Sequence, residues 1–250
     1  MDWKDRHSLK EEGQIELSIV VPVYNEKDNI EMLTAEIRRV CNALGKRYEI
    51  IYVDDGSTDS SGDLIKRLAM EIDEVRGLHF TRNCGQTAAF DAGFKAARGK
   101  IIVTMDADLQ NDPADIPSLL AHLKNYDAAI GWRFERQDNL VRRVSSKIAN
   151  AVRNKLSGDS ITDTGCSLKA FRSECIKKIK LYKGMHRFFP TLLRMEGYRV
   201  VEVKVRHRRR LSGEAKYGIG NRMVRGFVDL LVVRWMRKRK LDYEIKDYED

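Results

Sequence analysis

Lys100–Gln110 reads KIIVTMDADLQ, a short β-branched run that ends on two aspartates one residue apart. A run of this length and composition fits a buried strand, and an open parallel sheet binds its ligands just past the carboxyl ends of its strands. Working outward, similar runs occur at Glu16–Val23, Glu49–Val53, Gly77–Phe80, Lys100–Met105 and Ala128–Gly131. Between them lie Asn29–Leu44, Ser60–Ile72, Gln86–Ala97 and Pro113–Asn125, with apolar residues recurring at helical intervals. This alternation predicts an α/β fold, a mostly parallel sheet flanked by helices. Beyond Gly131 the pattern loosens: a helix is predicted over Arg142–Leu156, strands near Ser167–Phe171 and Tyr198–Val205, and a closing helix from Gly220 to about Arg239.

With 250 residues and 42% hydrophobic content, the chain can bury a substantial core. No apolar stretch is long enough to cross a bilayer, and Met1–Gly13 is charged, so neither a signal peptide nor a membrane-spanning helix is expected. Cys41, Cys84, Cys166 and Cys175 lack metal-type spacing and read as reduced thiols, which favours a cytoplasmic location. The net charge of +9 is unevenly spread: residues 1–130 hold 16 Lys and Arg against 23 Asp and Glu, and residues 131–250 hold 30 against 14. A basic half suits an anionic partner, be it nucleic acid, acidic lipid or a phosphorylated substrate.

The strand ends carry the chemistry. They read Pro22-Val23-Tyr24-Asn25-Glu26, Asp54-Asp55-Gly56-Ser57-Thr58-Asp59, Asp106-Ala107-Asp108-Leu109-Gln110 and Gly131-Trp132-Arg133. On an extended segment Asp106 and Asp108 share a side and can hold one divalent ion, with Gln110 continuing the alternation as a third oxygen. Read alone, Asp106 and Asp108 are equally an acidic turn ahead of a helix. Ser57, Thr58 and Asp59 suit a helix start, whereas Asp54 and Asp55 can also bond a base or ribose. Neither a Gly-rich dinucleotide fingerprint nor a P-loop is present, so a nucleotide must be held by other means.

Taken in order, Val21–Glu26, Val53–Asp59, Arg82–Gln86, Asp106–Gln110 and Gly131–Arg133 resemble the family 2 glycosyltransferases of the GT-A fold, closest to the polyprenyl-phosphate glycosyltransferases typified by dolichol-phosphate mannosyltransferase. Asp163–Ser167, His207–Arg210 and Gly213–Tyr217 extend the likeness. The resemblance implies a GT-A catalytic domain over residues 16–218 behind an N-terminal extension, then a basic amphipathic helix at 219–240 and an acidic tail. It implies that Pro22, Tyr24, Glu26, Asp54, Asp55 and Asp106 line the nucleotide pocket. Asp106, Asp108 and Gln110 would hold Mg²⁺ or Mn²⁺ against the diphosphate, with Asp108, Arg133 and Arg210 catalytic. Arg142 and Ser146, four apart on one helix face, would grip the acceptor phosphate. Two positions depart from the family: Ala215 stands where many relatives have serine, and Leu231 where processive synthases have the glutamine of Gln-x-x-Arg-Trp.

The implied reaction moves a sugar from a UDP- or GDP-linked donor to a polyprenyl phosphate at the cytoplasmic membrane face, with inversion. One alternative is a soluble transferase acting on a glycan or protein hydroxyl with Asp163 as base; another is a non-catalytic module binding anionic lipid or nucleic acid. No nucleic-acid motif is present, so nucleic acid is not expected as a partner. Arg222–Lys240 interleaves Met223, Phe227, Leu230, Leu231 and Trp235 with cations, which suits either an anionic membrane surface or ordinary packing on the domain.

Overall fold

The computed structural model describes residues 14–134, 161–208, 219–241 and 243, without the side chains of 219–225. The expected helix over Arg142–Leu156 lies outside the described residues, as do Gly213–Tyr217 and the side chain of Met223.

The described elements follow the predicted alternation closely. They are β1 (Leu17–Val23), α1 (Lys27–Ala43), β2 (Tyr48–Asp54), α2 (Ser61–Glu71), β3 (Val75–His79), α3 (Gln86–Ala96), β4 (Ile101–Thr104), α4 (Ile116–His122), β5 (Ala128–Arg133), β6 (Lys169–Arg172), α5 (Ser173–Ile176), α6 (Phe189–Met195), β7 (Val200–Val205) and α7 (Ile219–Lys238). The predicted helix at Pro113 is split: Pro113–Asp115 form a single 3-10 turn, capped by Asp112 accepting from the Ala114 N–H, and α4 starts after it.

Seven strands form one sheet in the order β3-β2-β1-β4-β6-β5-β7. All neighbours run parallel except β6, which is antiparallel to both β4 and β5. That reversal matters for function. A strand running backwards brings its amino end to the edge where its parallel neighbours finish, so the segment leading into Lys169 arrives beside Asp106. Lys169 pairs with Thr104 on one side and Ile130 on the other.

Strand alternation divides the core into two layers. Ile19, Val21, Ile50 and Tyr52 face α1 and α2 with Ile30, Leu33, Ile37 and Ile65. Val20, Ile51 and Val53 face the other way, toward Phe90, Phe94, Phe171, Phe189, Leu230 and Val233. Phe171 and Phe189 meet edge-on at 5.9 Å between centroids. α3 lies close on the sheet because Gly93 has no side chain; a Cβ there would collide with Val20.

Candidate active site

Among the described residues two non-glycine residues have positive φ, Asn25 at 53° and Leu109 at 60°, and both lie just past strand ends on the same edge. Such conformations cost on the order of 1–3 kcal/mol and persist where surroundings over-determine them. At Asn25 those surroundings are visible. Its Oδ1 accepts from Thr58 N at 2.8 Å, and its own N–H donates to Ser57 Oγ at 3.0 Å. The Glu26 N–H donates to Ser61 Oγ at 2.9 Å. The loops after β1 and β2 are thus stitched together, and Ser57, Thr58 and Asp59 serve the loop after β1 as well as the start of α2.

The two aspartates of that second loop hold its backbone in place. Asp54, at the end of β2, accepts from Ser57 N at 2.9 Å and lies 3.3 Å from His79 Nδ1. Asp55 reaches the opposite way and accepts from Cys84 N at 2.6 Å and from Gly85 N at 2.9 Å. Burial pushes the Asp55 carboxyl up, opposed by those two N–H donors. Gly56 follows with φ 69°, and a Cβ there would strike the Arg82 carbonyl carbon. Close approach of the Asp54–Ser57 turn to Arg82–Gly85 therefore requires glycine.

Asp106 and Asp108 come together by a different route from the one the sequence suggests. β4 ends at Thr104, so these residues lie in a bend whose turn is completed by left-handed Leu109, not on an extended strand. Asp108 accepts from Gln110 N at 3.2 Å. Asp106 accepts from Gln86 Nε2 at 2.7 Å, and its N–H donates to Asn111 Oδ1 at 3.3 Å. Asn111 Oδ1 also receives the Ser167 hydroxyl at 2.6 Å. Burial and then repulsion by Asp108 push the Asp106 carboxyl up to about 6, against the opposing pull of Ser167, Lys169 and Arg133. Two carboxylates that disfavour one another's charge form a place where a cation is welcome.

The donor set fits a hard divalent ion. Among the described residues no three His, Cys, Asp or Glu side chains gather closely enough to hold a metal by themselves. What the bend offers is two carboxylates with Gln110 beside them, the partial shell that Mg²⁺ or Mn²⁺ completes with phosphate oxygens. His207 Nε2 lies 3.5 Å from Gln110 Nε2, held there because Asn111 bridges to His207 and Arg208 N donates to Gln110 O at 2.9 Å.

Basic residues near the bend are mostly spoken for. Arg133 donates through Nε and Nη2 to Asp163 at 2.7 and 2.9 Å, a bidentate pair with both side chains largely buried. Asp163, the candidate base of the hydroxyl-acceptor alternative, is therefore fixed as the partner of an arginine. Arg206 pairs with Asp115 and Asp112, and Arg208 with Glu36 and Asp112. Arg206 and Arg208 thus form a clasp that fastens the end of β7 to α1 and the turn before α4. Arg210, Arg142 and Ser146 lie outside the described residues.

Sequence reasoning missed Lys169. Its ammonium is buried, donates to the Cys166 carbonyl and sits 6.0 Å from the Phe189 ring centroid. Asp106 and Asp163 favour its charge while burial opposes it. Asp106 and Asp163 are set against Arg133 and Lys169 in one largely buried cluster, with Asp108 adjoining it. The signal was a charged residue inside an apolar strand, LKAF, whose meaning appears only once β6 is known to run backwards.

Comparisons with known proteins agree with this geometry. Residues 18–180 match the model of Glycosyl transferase family 2. The chain is 40% identical over 232 residues to the dodecaprenyl-phosphate galacturonate synthase of Rhizobium johnstonii, covering 90% of this chain and 68% of that protein. It is 38% identical over 205 residues to the undecaprenyl-phosphate 4-deoxy-4-formamido-L-arabinose transferase of Edwardsiella ictaluri, covering 81% and 63%. The chain thus spans about two thirds of the length of these relatives. The fold is shared with glucosyl-3-phosphoglycerate synthase from Mycobacterium tuberculosis, solved with Mn²⁺, UDP and phosphoglyceric acid (TM-score 0.65, 18% identity, 92% of this chain and 80% of that one). It is also shared with a mannosyltransferase from Pyrobaculum calidifontis, solved with GDP-Man and Mn²⁺ (TM-score 0.64, 19% identity, 93% and 67%). With an ordered set of strand-end motifs, a GT-A sheet and a matching family model, the chain belongs to glycosyl transferase family 2.

Proposed function

We propose that this chain transfers a hexose-like sugar from a nucleoside diphosphate donor to a polyprenyl phosphate at a membrane face, with inversion at the anomeric carbon. The observation that carries the reading is the pair Asp106 and Asp108, set in a bend at the carboxyl edge of the sheet with the Asp106 carboxyl pushed up by burial and then by its neighbour. The acceptor class is supported by the two relatives, whose names specify dodecaprenyl and undecaprenyl phosphate.

In this reading Pro22, Tyr24 and Glu26 form one wall of the nucleotide pocket on the stitched loop. Asp54 and Asp55 would meet the nucleoside from the loop after β2, where Asp55 is already held by the Cys84 and Gly85 N–H groups. Asp106, Asp108 and Gln110 would hold Mg²⁺ or Mn²⁺, which when bound supplies positive charge against the departing diphosphate. Arg133 is kept rigid by Asp163 and presents its remaining Nη1 edge to phosphate oxygens. Gln86 and Ser167 keep the Asp106 carboxylate oriented. A phosphate acceptor is already ionised near neutral pH, so the attack needs no side-chain base, which suits an Asp163 tied to arginine. Arg142, Ser146 and Arg210 complete the proposal as acceptor and donor phosphate contacts.

Incubation with UDP- and GDP-sugars and a short prenyl phosphate, with and without Mn²⁺, tests it. The expected result is a metal-dependent glycosyl phosphoryl prenol of inverted configuration by NMR. Transfer to sugar hydroxyls instead, or a product with retained configuration, would overturn it.

A further inference from the structure

α7 has two faces with different histories. Leu230 and Val233 are buried among Phe171, Phe189, Leu192 and Leu193, so the helix has already placed one apolar side on the domain. Asp229, the sole acid of residues 226–241, sits on that inward side against Gly184, where any Cβ would meet its carboxylate. The opposite side is also apolar and is exposed: Phe227, Val228, Leu231, Val232 and Trp235 are each more than two fifths accessible, with Trp235 at 62%. At positions i, i+1, i+4, i+5 and i+8 these five form one stripe along two turns. A core-facing side cannot explain a second stripe.

Charge selects the occupant. Arg234, Arg237, Lys238 and Arg239 crowd the end of the stripe, and the exposed Leu241 and Tyr243 lie just past the helix. The described helices include none long and apolar enough to cross a membrane. Large apolar side chains ringed by cations, on a helix too polar to insert, suit the interface of an anionic bilayer, where the rings enter the headgroup boundary and the cations meet lipid phosphates.

We infer that the outer face of α7 docks the protein on an anionic lipid surface. This deepens the reading that the acceptor is a lipid, because it specifies how the catalytic edge is kept at the surface where such an acceptor resides. Gly184, beneath Asp229, donates its N–H to Thr87 Oγ1 at 3.1 Å, and Thr87 follows Gln86, which holds Asp106. The docking helix and the site thus share a short chain of contacts.

The test uses the full chain and the variant Leu231→Glu/Trp235→Glu, both changes being on exposed positions. Co-sedimentation is measured with vesicles of pure phosphatidylcholine and of equimolar phosphatidylcholine and phosphatidylglycerol. Wild type should pellet with the anionic vesicles and stay in solution with the neutral ones, with binding lost as salt is raised. The variant should lose about tenfold or more in partitioning with an unchanged thermal midpoint. Lys238→Glu/Arg239→Glu should lose anionic-vesicle binding too. Absence of wild-type pelleting, or equal binding to both vesicle types, would overturn the inference. So would a wild-type dimer in size-exclusion chromatography that the variant converts to monomer, since the stripe would then face a second copy. Turnover of water-soluble farnesyl phosphate separates the two readings. If it fails for wild type while vesicles still bind, the acceptor reading falls and the docking stands; if it proceeds without vesicle binding, the reverse holds.

Discussion

Glu49 and Asp106 are carboxylates at opposite edges of one sheet, and their surroundings differ. Glu49, near the amino end of β2, accepts from Ser18 Oγ at 2.7 Å, Arg98 N at 2.7 Å and Arg76 Nη1 at 2.5 Å. It is saturated by donors, one of them an arginine. Asp106, beyond the carboxyl end of β4, accepts from Gln86 and faces another carboxylate, and its carboxyl is pushed up to about 6. The same chemical group thus meets donors alone at one edge, and donors together with a like charge at the other. A buried charge that is fully paired holds structure together, whereas a crowded pair of like charges stores a demand for a ligand.

Substitutions at the two edges should therefore fail in different ways. Asp108→Ala removes half of the cation cradle and relieves repulsion on Asp106. Turnover should fall by on the order of a thousandfold, about 4 kcal/mol of transition-state stabilisation. The melting temperature should hold or rise. A variant that melts far below wild type would place Asp108 with Glu49 as a structural group. Glu49→Ala should do the converse, leaving the Arg98 N–H without its acceptor and Arg76 with only the Ala96 carbonyl. A loss of about 3 kcal/mol in urea unfolding is expected, with turnover per folded molecule preserved.

pH separates the edges again. Because the folded-state carboxyl of Asp106 lies above its unfolded value, its contribution to stability is present below about pH 4 and is lost as pH rises through about 6. Metal-free protein should therefore carry an added penalty of about 1 kcal/mol at pH 7 relative to pH 5 that Asp106→Asn lacks. Saturating Mn²⁺ with UDP or GDP should abolish the difference between the two proteins. A wild type and variant with superimposable stability curves from pH 5 to 7 would show that the folded protein does not raise the Asp106 carboxyl.

Much of this organisation was legible in the sequence because it depends on local patterns. Strand runs such as Ser18–Val23 and Ile101–Val103 announce themselves, and their ends carry the acidic residues of the edge. What stayed hidden depends on topology. The backward course of β6 cannot be read from Lys169–Arg172, so the roles of Lys169 and Ser167 beside Asp106 were not visible. α6 was missed because Pro190 interrupts the run Phe188–Met195; at the first turn of a helix proline is accommodated, since the N–H it lacks has no partner there. The ion pairs of Arg206 and Arg208 stayed hidden because their acids, Glu36, Asp112 and Asp115, are remote in sequence. Asn25, an ordinary residue between Tyr24 and Glu26, turned out to be the junction of two loops.

That junction gives the finest test of how the catalytic edge is assembled. Asn25 contributes a side-chain acceptor to Thr58 and tolerance of a left-handed backbone. Alanine supplies neither, so Asn25→Ala should cost about 2 kcal/mol, the sum of a lost hydrogen bond and a strained φ. Glycine restores the backbone freedom alone, so Asn25→Gly should cost about 1 kcal/mol. If the loop carries Tyr24 and Glu26 to the nucleotide, both variants should also weaken nucleoside diphosphate binding measured by calorimetry, alanine more than glycine. Equal stability losses would assign the whole effect to the stitching bonds, and unchanged binding would show that the edge is shaped by β2 and its loop without help from β1.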